Sequence, residues 1–461
     1  MRLLTYTEGA DPNYLATVVQ VPTIKDHPNA DKLSLVEIYG NTIIIGKDSY
    51  KEHEKVVYFP VESCLSTKFL SWANLLTKPE LNADEKTKGF FESKGRVRAV
   101  SLRGIPSQGF LFPTSKLAEF SGVDDAHFNV GEVFDSLNGE LLVKKYIKGD
   151  AKGSGEANAK KSRVPKWIDA TIGFFPRPIR RKAYLFVNAW FNRNAEGIKS
   201  QIVDGQFQFH YSTEHLGKNI FVLNPNDDIS ITSKVHGTSA IYANLLVKKT
   251  FNPFRNIANW FGATYSEVEY KEIYSSRSVL KNRRDGKYTD DVWGKHAEEF
   301  KGMIPAGYAV YGEIVGYVNH GKMVQKNYDY GVAKGESEFW VYRVTYTTDV
   351  DPTRELSWDE IEKFCVEHGF KHTPVYYHGP AVELFNLPLT PTWNSDFLTA
   401  MKEEYLDKTC GLCTTGVVNE GVVLKINNRE KKPVFKFKSP KFILGESAER
   451  DAGESNIEED S

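Results

Sequence analysis

Ile231-Thr-Ser-Lys-Val-His-Gly-Thr-Ser239 alternates apolar and polar residues as a strand does, then breaks at Gly237, so that one lysine, Lys234, is presented beside a tight turn. Alone, such a string fits a solvated lysine at a strand end as well as a covalent nucleophile. Further strings follow it: Tyr311-Gly-Glu-Ile-Val-Gly316, Phe339-Trp-Val-Tyr342, Glu420-Gly-Val-Val423 and Phe435-Lys-Phe-Lys438. Period two puts Lys436 and Lys438 on one strand face and Phe435 and Phe437 on the other. Gly421, without a side chain, lets a bound group come close to Glu420.

Outward from these strings, residues 201–445 read as an α+β body of mostly antiparallel strands with fewer helices. One helix is expected near Asp291–Met303. Another starts at Ser357, where Glu360 completes a capping box, and stops at Gly369, with Ile361, Phe364 and Cys365 on its apolar face. Upstream, Ala16–Val21, Leu33–Ile38, Thr42–Gly46 and Lys55–Phe59 are short β-rich runs broken by Pro, Asn and Gly. With Arg96–Arg103 and Gly109–Phe112, bracketing a Gly-Ile-Pro turn, they predict a small β-barrel over residues 1–145. Arg96 and Arg98 share a strand face and, with Arg103 at the strand end, form a candidate basic stripe for RNA. The Gly, Ser, Ala and Lys of 149–162 have linker composition, so 146–200 is taken as linker and variable segment.

The 461 residues are 41% hydrophobic and 26% charged, which is ordinary globular composition with room for two or three domains. No apolar run is long enough for a membrane span and the first residues lack a signal-peptide core, so an intracellular, cytoplasmic protein is expected. Four cysteines make a disulfide framework improbable. Cys410-Gly-Leu-Cys413 lacks the downstream pair that a structural zinc needs. The net charge is −1, yet residues 446–461 hold seven acids against one arginine, which leaves the rest at +5. That body is mildly basic, and the acidic stretch is expected to be a disordered tail.

The five strings, in their order, resemble the signature set of the covalent nucleotidyltransferases, the superfamily of polynucleotide ligases and mRNA capping enzymes. His27-Pro-Asn-Ala-Asp-Lys-Leu33 resembles the opening of OB-fold modules that bind tRNA. The resemblance implies that Lys234 attacks ATP and stores AMP as a phosphoramidate, with Lys436 and Lys438 on the α-phosphate and Glu420 serving Mg2+ or Mn2+. It implies a ribose or metal contact for Glu313, a ribose and RNA contact for Arg277, and stacking on the purine for Phe339, with Trp340 and Tyr342 as alternatives. For attack, Lys234 has to be neutral near pH 7, and nearby cations are what would disfavour its charge. The chain departs from the family at His236, where aspartate is usual, and at Thr232, where glutamate is common. Purine selection is therefore assigned to the Thr232 hydroxyl or to backbone groups.

DNA ligases and capping enzymes resemble one another in carrying an OB domain after the last string. Only 23 residues follow Lys438. The barrel precedes the catalytic body, which resembles a family of nick-sealing RNA ligases with an N-terminal OB domain. The expectation is an ATP-dependent RNA ligase that acts as a monomer on nicked duplex. The alternatives are a capping-type guanylyltransferase, a general polynucleotide ligase and a non-catalytic RNA-binding protein.

Overall fold

The computed structural model describes residues 3–147, 201–249, 268–281, 291–318, 321–347 and 353–452. The expected linker at 149–162 lies outside the described residues. Among the described residues no helix is long and apolar enough to cross a membrane.

In the N-terminal part, strands β1 (Ala16–Gln20), β2 (Leu33–Ile38), β3 (Asn41–Gly46) and β4 (Lys55–Phe59) lie where the β-rich runs place them. Strand β4 reads Lys-Val-Val-Tyr-Phe without alternation because both of its faces are covered. Val56 and Tyr58 pack with Val36, Ile38, Ile43 and Ile45 inside the barrel. Val57 and Phe59 pack on the opposite side with Phe69, Leu70 and Leu117 from two short helices.

The hairpin of β5 (Ala99–Leu102) and β6 (Ile105–Gln108) turns one residue earlier than the sequence suggests. Its turn is Arg103-Gly104, both at positive φ (51° and 89°), the backbone that two-residue hairpins favour. Pro106 is accommodated within the strand. His27 and Asn29 pin the loop ahead of β2 to this turn: His27 Nε2 lies 3.2 Å from the Leu102 carbonyl and Asn29 Nδ2 donates to the Arg103 carbonyl at 3.0 Å. Strand β7 (Phe110–Pro113) pairs with β4.

The C-terminal body is two sheets. The smaller is built on β8 (Asp228–Ser233), flanked by Val375–Pro380 and by Gly421–Ile426, which pairs in turn with Val434–Lys438. The larger runs from β9 (Thr238–Lys248) to Val268–Ser275 on one side, and to Tyr308–Gly316 and Ser337–Tyr346 on the other. The long strands pair antiparallel; Glu214–His215 and Lys371–His372 add short parallel edges.

The chain crosses from one sheet to the other between β8 and β9, and Lys234 to Gly237 are that crossing. A Cβ on Gly237 would sit 2.3 Å from the Ile314 carbonyl oxygen, so only glycine lets the two sheets approach there.

Helices cover the outer faces. Val292–Glu299 and Trp358–His368 pack on the large sheet. The latter has the expected Ser357/Glu360 capping box, and Gly369 ends it in the left-handed conformation. Trp393–Tyr405 backs the small sheet.

The expectation of a disordered tail over 446–461 is corrected for its first part, since helix Pro440–Asp451 takes in residues 446–451; residues 453–461 lie outside the described residues. The helix's acids are not a self-repelling run, because Glu446 meets Lys438 and Arg450 while Asp451 meets Arg96 and Arg98.

Candidate active site

Cross-strand register assembles the site. Gly421 is paired with Lys438 and Val423 with Lys436, while the Lys234 N–H donates to the Gly421 carbonyl at 2.9 Å. Glu420 is thereby set between two lysines: its Oε1 is 2.7 Å from Lys234 Nζ and 3.1 Å from Lys438 Nζ. His236 Nδ1 stands 3.8 Å from Oε2.

Glu420 is 3% exposed. Burial alone would raise its carboxyl, but Lys234, Lys438 and His236 more than offset that and hold it down to about 2. Lys438 is the converse case: burial disfavours its charge, and Glu446 with Glu420 pushes its ammonium above the ordinary range. Lys436 has no carboxylate within ion-pair distance among the described residues. Burial, then Lys438 and Lys234, bring it down to about 7.

These groups open onto a cavity of 720 Å³ between the two sheets, lined also by N-terminal residues that include Tyr14, Tyr58 and Lys145. Thr232, Arg277 and Glu313 line it as expected. Arg277 follows strand Val268–Ser275 in a turn closed by the Ser276 N–H donating to the Val279 carbonyl at 3.0 Å. Glu313, 8% exposed, accepts a hydrogen bond from Ser239 Oγ at 3.2 Å across the strand pair.

Phe339 does not line the cavity. It is 4% exposed and packs edge-on against Tyr242, with ring centroids 4.9 Å apart, in the core under the large sheet. The correction is one of strand parity. A bulge leaves Tyr342 without a partner between the pairs Gly312/Val341 and Tyr311/Arg343. Tyr342 and Arg343 therefore both face the cavity, while Phe339, Val341 and Val344 face the core. Tyr342, one of the two alternatives to Phe339, does line the cavity.

Sequence reasoning missed His210. Its Nε2 is 2.7 Å from the Tyr342 hydroxyl and its ring stacks on Tyr342 with centroids 5.5 Å apart. Burial, then Arg277 and Arg343, push it down to about 3, so it is neutral at ordinary pH. Its Nδ1 is buried without a hydrogen-bond partner, as is Ser230 Oγ on the cavity wall. An isolated histidine far from the signature strings gave no signal in sequence.

Arg96 and Arg98 do not form an RNA-facing stripe. Arg96 is 7% exposed, grips Glu62 through Nε and Nη2 at 3.0 and 2.7 Å, and reaches Asp451 at 2.7 Å. Arg98 is spent on Glu92 and Asp451. Arg103 alone of the three is exposed, at the hairpin turn. The stripe is corrected to a seam between the barrel and the C-terminal helix, because Glu62 and Glu92 of the barrel and Asp451 of the helix neutralise it.

A divalent metal fits as a hard ion held mainly by oxygen from water and substrate. Glu420 Oε2 is buried with no hydrogen-bond partner, and among the described residues no cluster of three His, Cys, Asp or Glu forms a cage. Glu420 would hold it, and Glu313 lines the same cavity.

Residues 227–438 match a family model described as RNA ligase, and residues 15–114 match that of an OB-fold domain. Among curated proteins no sequence match was found. Naegleria gruberi RNA ligase with pyrophosphate superposes with a TM-score of 0.54 at 16% identity, over 94% of this chain and 99% of that one. A mutant of the same enzyme with ATP and Mn gives 0.53 at 15%, over 94% and 98%. At such identities the likeness shows the shared fold, barrel and catalytic body together.

Proposed function

Since the chain belongs to the RNA ligase family, with an OB-fold domain ahead of its catalytic body, we propose that it joins RNA 3′-hydroxyl and 5′-phosphate ends in three steps, through lysyl-AMP and RNA-adenylate. The observation that carries this reading is Lys234 at the crossing of two sheets, its ammonium on Glu420 and its face on a 720 Å³ cavity.

In the first step Lys234 leaves Glu420 and loses a proton to solvent, and its Nζ forms a bond to the α-phosphorus of ATP as the bond from that phosphorus to pyrophosphate breaks. Lys438, whose charge is held on by two carboxylates, and Lys436 beside it stabilise the oxygens that gain charge. Mg2+ or Mn2+ on Glu420 would supply further charge at the same phosphate. Thr232 and Tyr342 bound the purine, and Arg277 and Glu313 the ribose.

AMP then moves to the RNA 5′-phosphate, and the 3′-hydroxyl displaces it. The acceptor is taken to be a nick in duplex. Arg277 is the group assigned to the ribose there, where a 2′-hydroxyl distinguishes RNA from DNA. The chain is taken to act as a monomer, a reading supported by a cavity lined from both of its own domains.

The test is incubation with radiolabelled ATP, GTP or NAD and a divalent metal, followed by denaturing electrophoresis. ATP should label the chain and Lys234→Ala should abolish the label; labelling by GTP alone would point to a capping-type reaction. Nicked duplexes that differ only in the sugars at the 3′-hydroxyl end then test substrate. Equal sealing of all-DNA and RNA-ended nicks would make it a general polynucleotide ligase.

A further inference from the structure

Helix Pro440–Asp451 begins two residues after Lys438, beyond the stretch that matches the RNA ligase model, and crosses from the catalytic body to the barrel. Along it the charges alternate without a gap. From Glu420, which Lys234 and Lys438 share, the next link is Lys438 Nζ to Glu446 Oε2 at 3.3 Å. Glu446 Oε1 meets Arg450 one helical turn on at 3.4 Å, and Arg450 Nη1 meets Glu62 of the barrel at 2.7 Å. Glu62 Oε1 meets Arg96 at 2.7 Å. The side chain of Glu446 is 17% exposed and that of Lys438 22%, so solvent screens these pairs only in part.

The arrangement answers a problem of the site itself. One oxygen of Glu420 serves two ammoniums. When that carboxylate turns to another cation, both lysines lose it; Lys234 is free to do so because it is the nucleophile. Lys438 has to stay in place, and a half-buried ammonium that loses its partner is no longer held there. Its only other carboxylate among the described residues is Glu446. Lys438 also lies over the Phe442 ring, 5.0 Å from its centroid, so the same helix steers the lysine twice.

Resting on the ligase reading above, we propose that Glu446 is a positioning residue that holds Lys438 for the attack on ATP, and that Arg450 and Glu62 make this hold depend on the seating of the barrel. A helix that merely glued the domains would give variants that melt earlier but form lysyl-AMP normally once folded. Positioning instead separates kcat from KM.

The measurement is single-turnover lysyl-AMP formation against ATP concentration in the full chain, per folded molecule, alongside thermal melting. For Glu446→Gln the rate at saturating ATP should fall by about tenfold or more, with the ATP concentration for half-maximal rate changing by less than about threefold. Glu446→Asp, which restores the charge, should recover part of the loss. Arg450→Met, which leaves Glu446 in place but unlinks it from the barrel, should fall by about threefold. Lys441→Gln, an exposed position on the same helix, should match wild type. Should Glu446→Gln not fold, Arg450→Met decides. Wild-type rates in the folded Glu446→Gln or Arg450→Met protein overturn the proposal. A wild-type chain that forms no adduct with ATP breaks the ligase reading instead.

Discussion

Lys436/Lys438 and Arg96/Arg98 are alike in sequence: two basic residues at period two on a strand. In the fold they differ by what stands opposite. The lysines face a cavity, where Lys438 meets Glu420 and Glu446 while Lys436 has no carboxylate within ion-pair distance among the described residues. The arginines face Glu62, Glu92 and Asp451, which consume their charge. Cations gathered at the wall of a cavity can serve chemistry on phosphate; cations paired across the boundary between barrel and helix serve a seam. Spacing cannot tell the two apart, because the acids that decide it lie outside the strand: for Arg96 they are Glu62, 34 residues away, and Asp451, 355 residues away.

The comparison makes its largest claim at Lys438. Lys438→Ala should lower lysyl-AMP formation by about two orders of magnitude or more, the scale of a lost electrostatic contact to the reacting phosphate. Arg96→Met should leave that step intact per folded molecule and lower stability by about 3 kcal/mol, since it strips a buried partner from Glu62. Denaturant melts and adduct formation on the same preparations check both. If Arg96→Met weakened RNA sealing while leaving stability untouched, the seam reading would fail. Arg98, about a third exposed on its side chain, should cost under about 1 kcal/mol when changed to Met.

A second contrast, Phe339 against Tyr342, has the same form. Phe339→Ala should cost about 3–5 kcal/mol of stability as a core cavity, with little effect on ATP use by the folded fraction. Tyr342→Ala should raise the ATP requirement by roughly three- to tenfold, the worth of one aromatic contact. Reversal of the two outcomes would return the stacking role to Phe339.

Most of the architecture was legible because it rests on local signals. The β-rich runs of the barrel, the Ser357/Glu360 capping box, Gly369 as a helix stop and the strand carrying Phe435 to Lys438 each depend on a few adjacent residues. The lysines, Glu420, Thr232, Arg277 and Glu313 converge as their strings suggest. The misses depend on distant partners. Nothing near Phe339 announces a bulge at Tyr342, nothing near His210 announces Tyr342 above it, and the acidic composition of 446–461 hides a helix whose acids have cations waiting.

A further expected effect is one of pH. Buried His210 and His215 are both pushed down to about 3, from an ordinary 6.5. Below pH 6.5 the unfolded chain takes up protons that the folded one refuses, so stability should fall as pH drops from about 6.5 toward 3 and be flat with respect to these groups above it. Replacing both histidines with asparagine should flatten the slope between pH 6.5 and 4.5, ahead of the carboxylates. An unchanged slope would mean that these rings are not held neutral.

The central claim is that Lys234, and not another amine of the site, takes up AMP. Lys436 is the natural rival, since its ammonium is brought down to about 7 and it lies beside Lys438 at the same cavity. Mass spectrometry of the protein digested after incubation with ATP and a divalent metal locates the adduct directly. An AMP-sized mass on the peptide that contains Lys234, absent in Lys234→Ala, is the predicted result; the same mass on Lys436, or an adduct that persists in Lys234→Ala, would contradict the account.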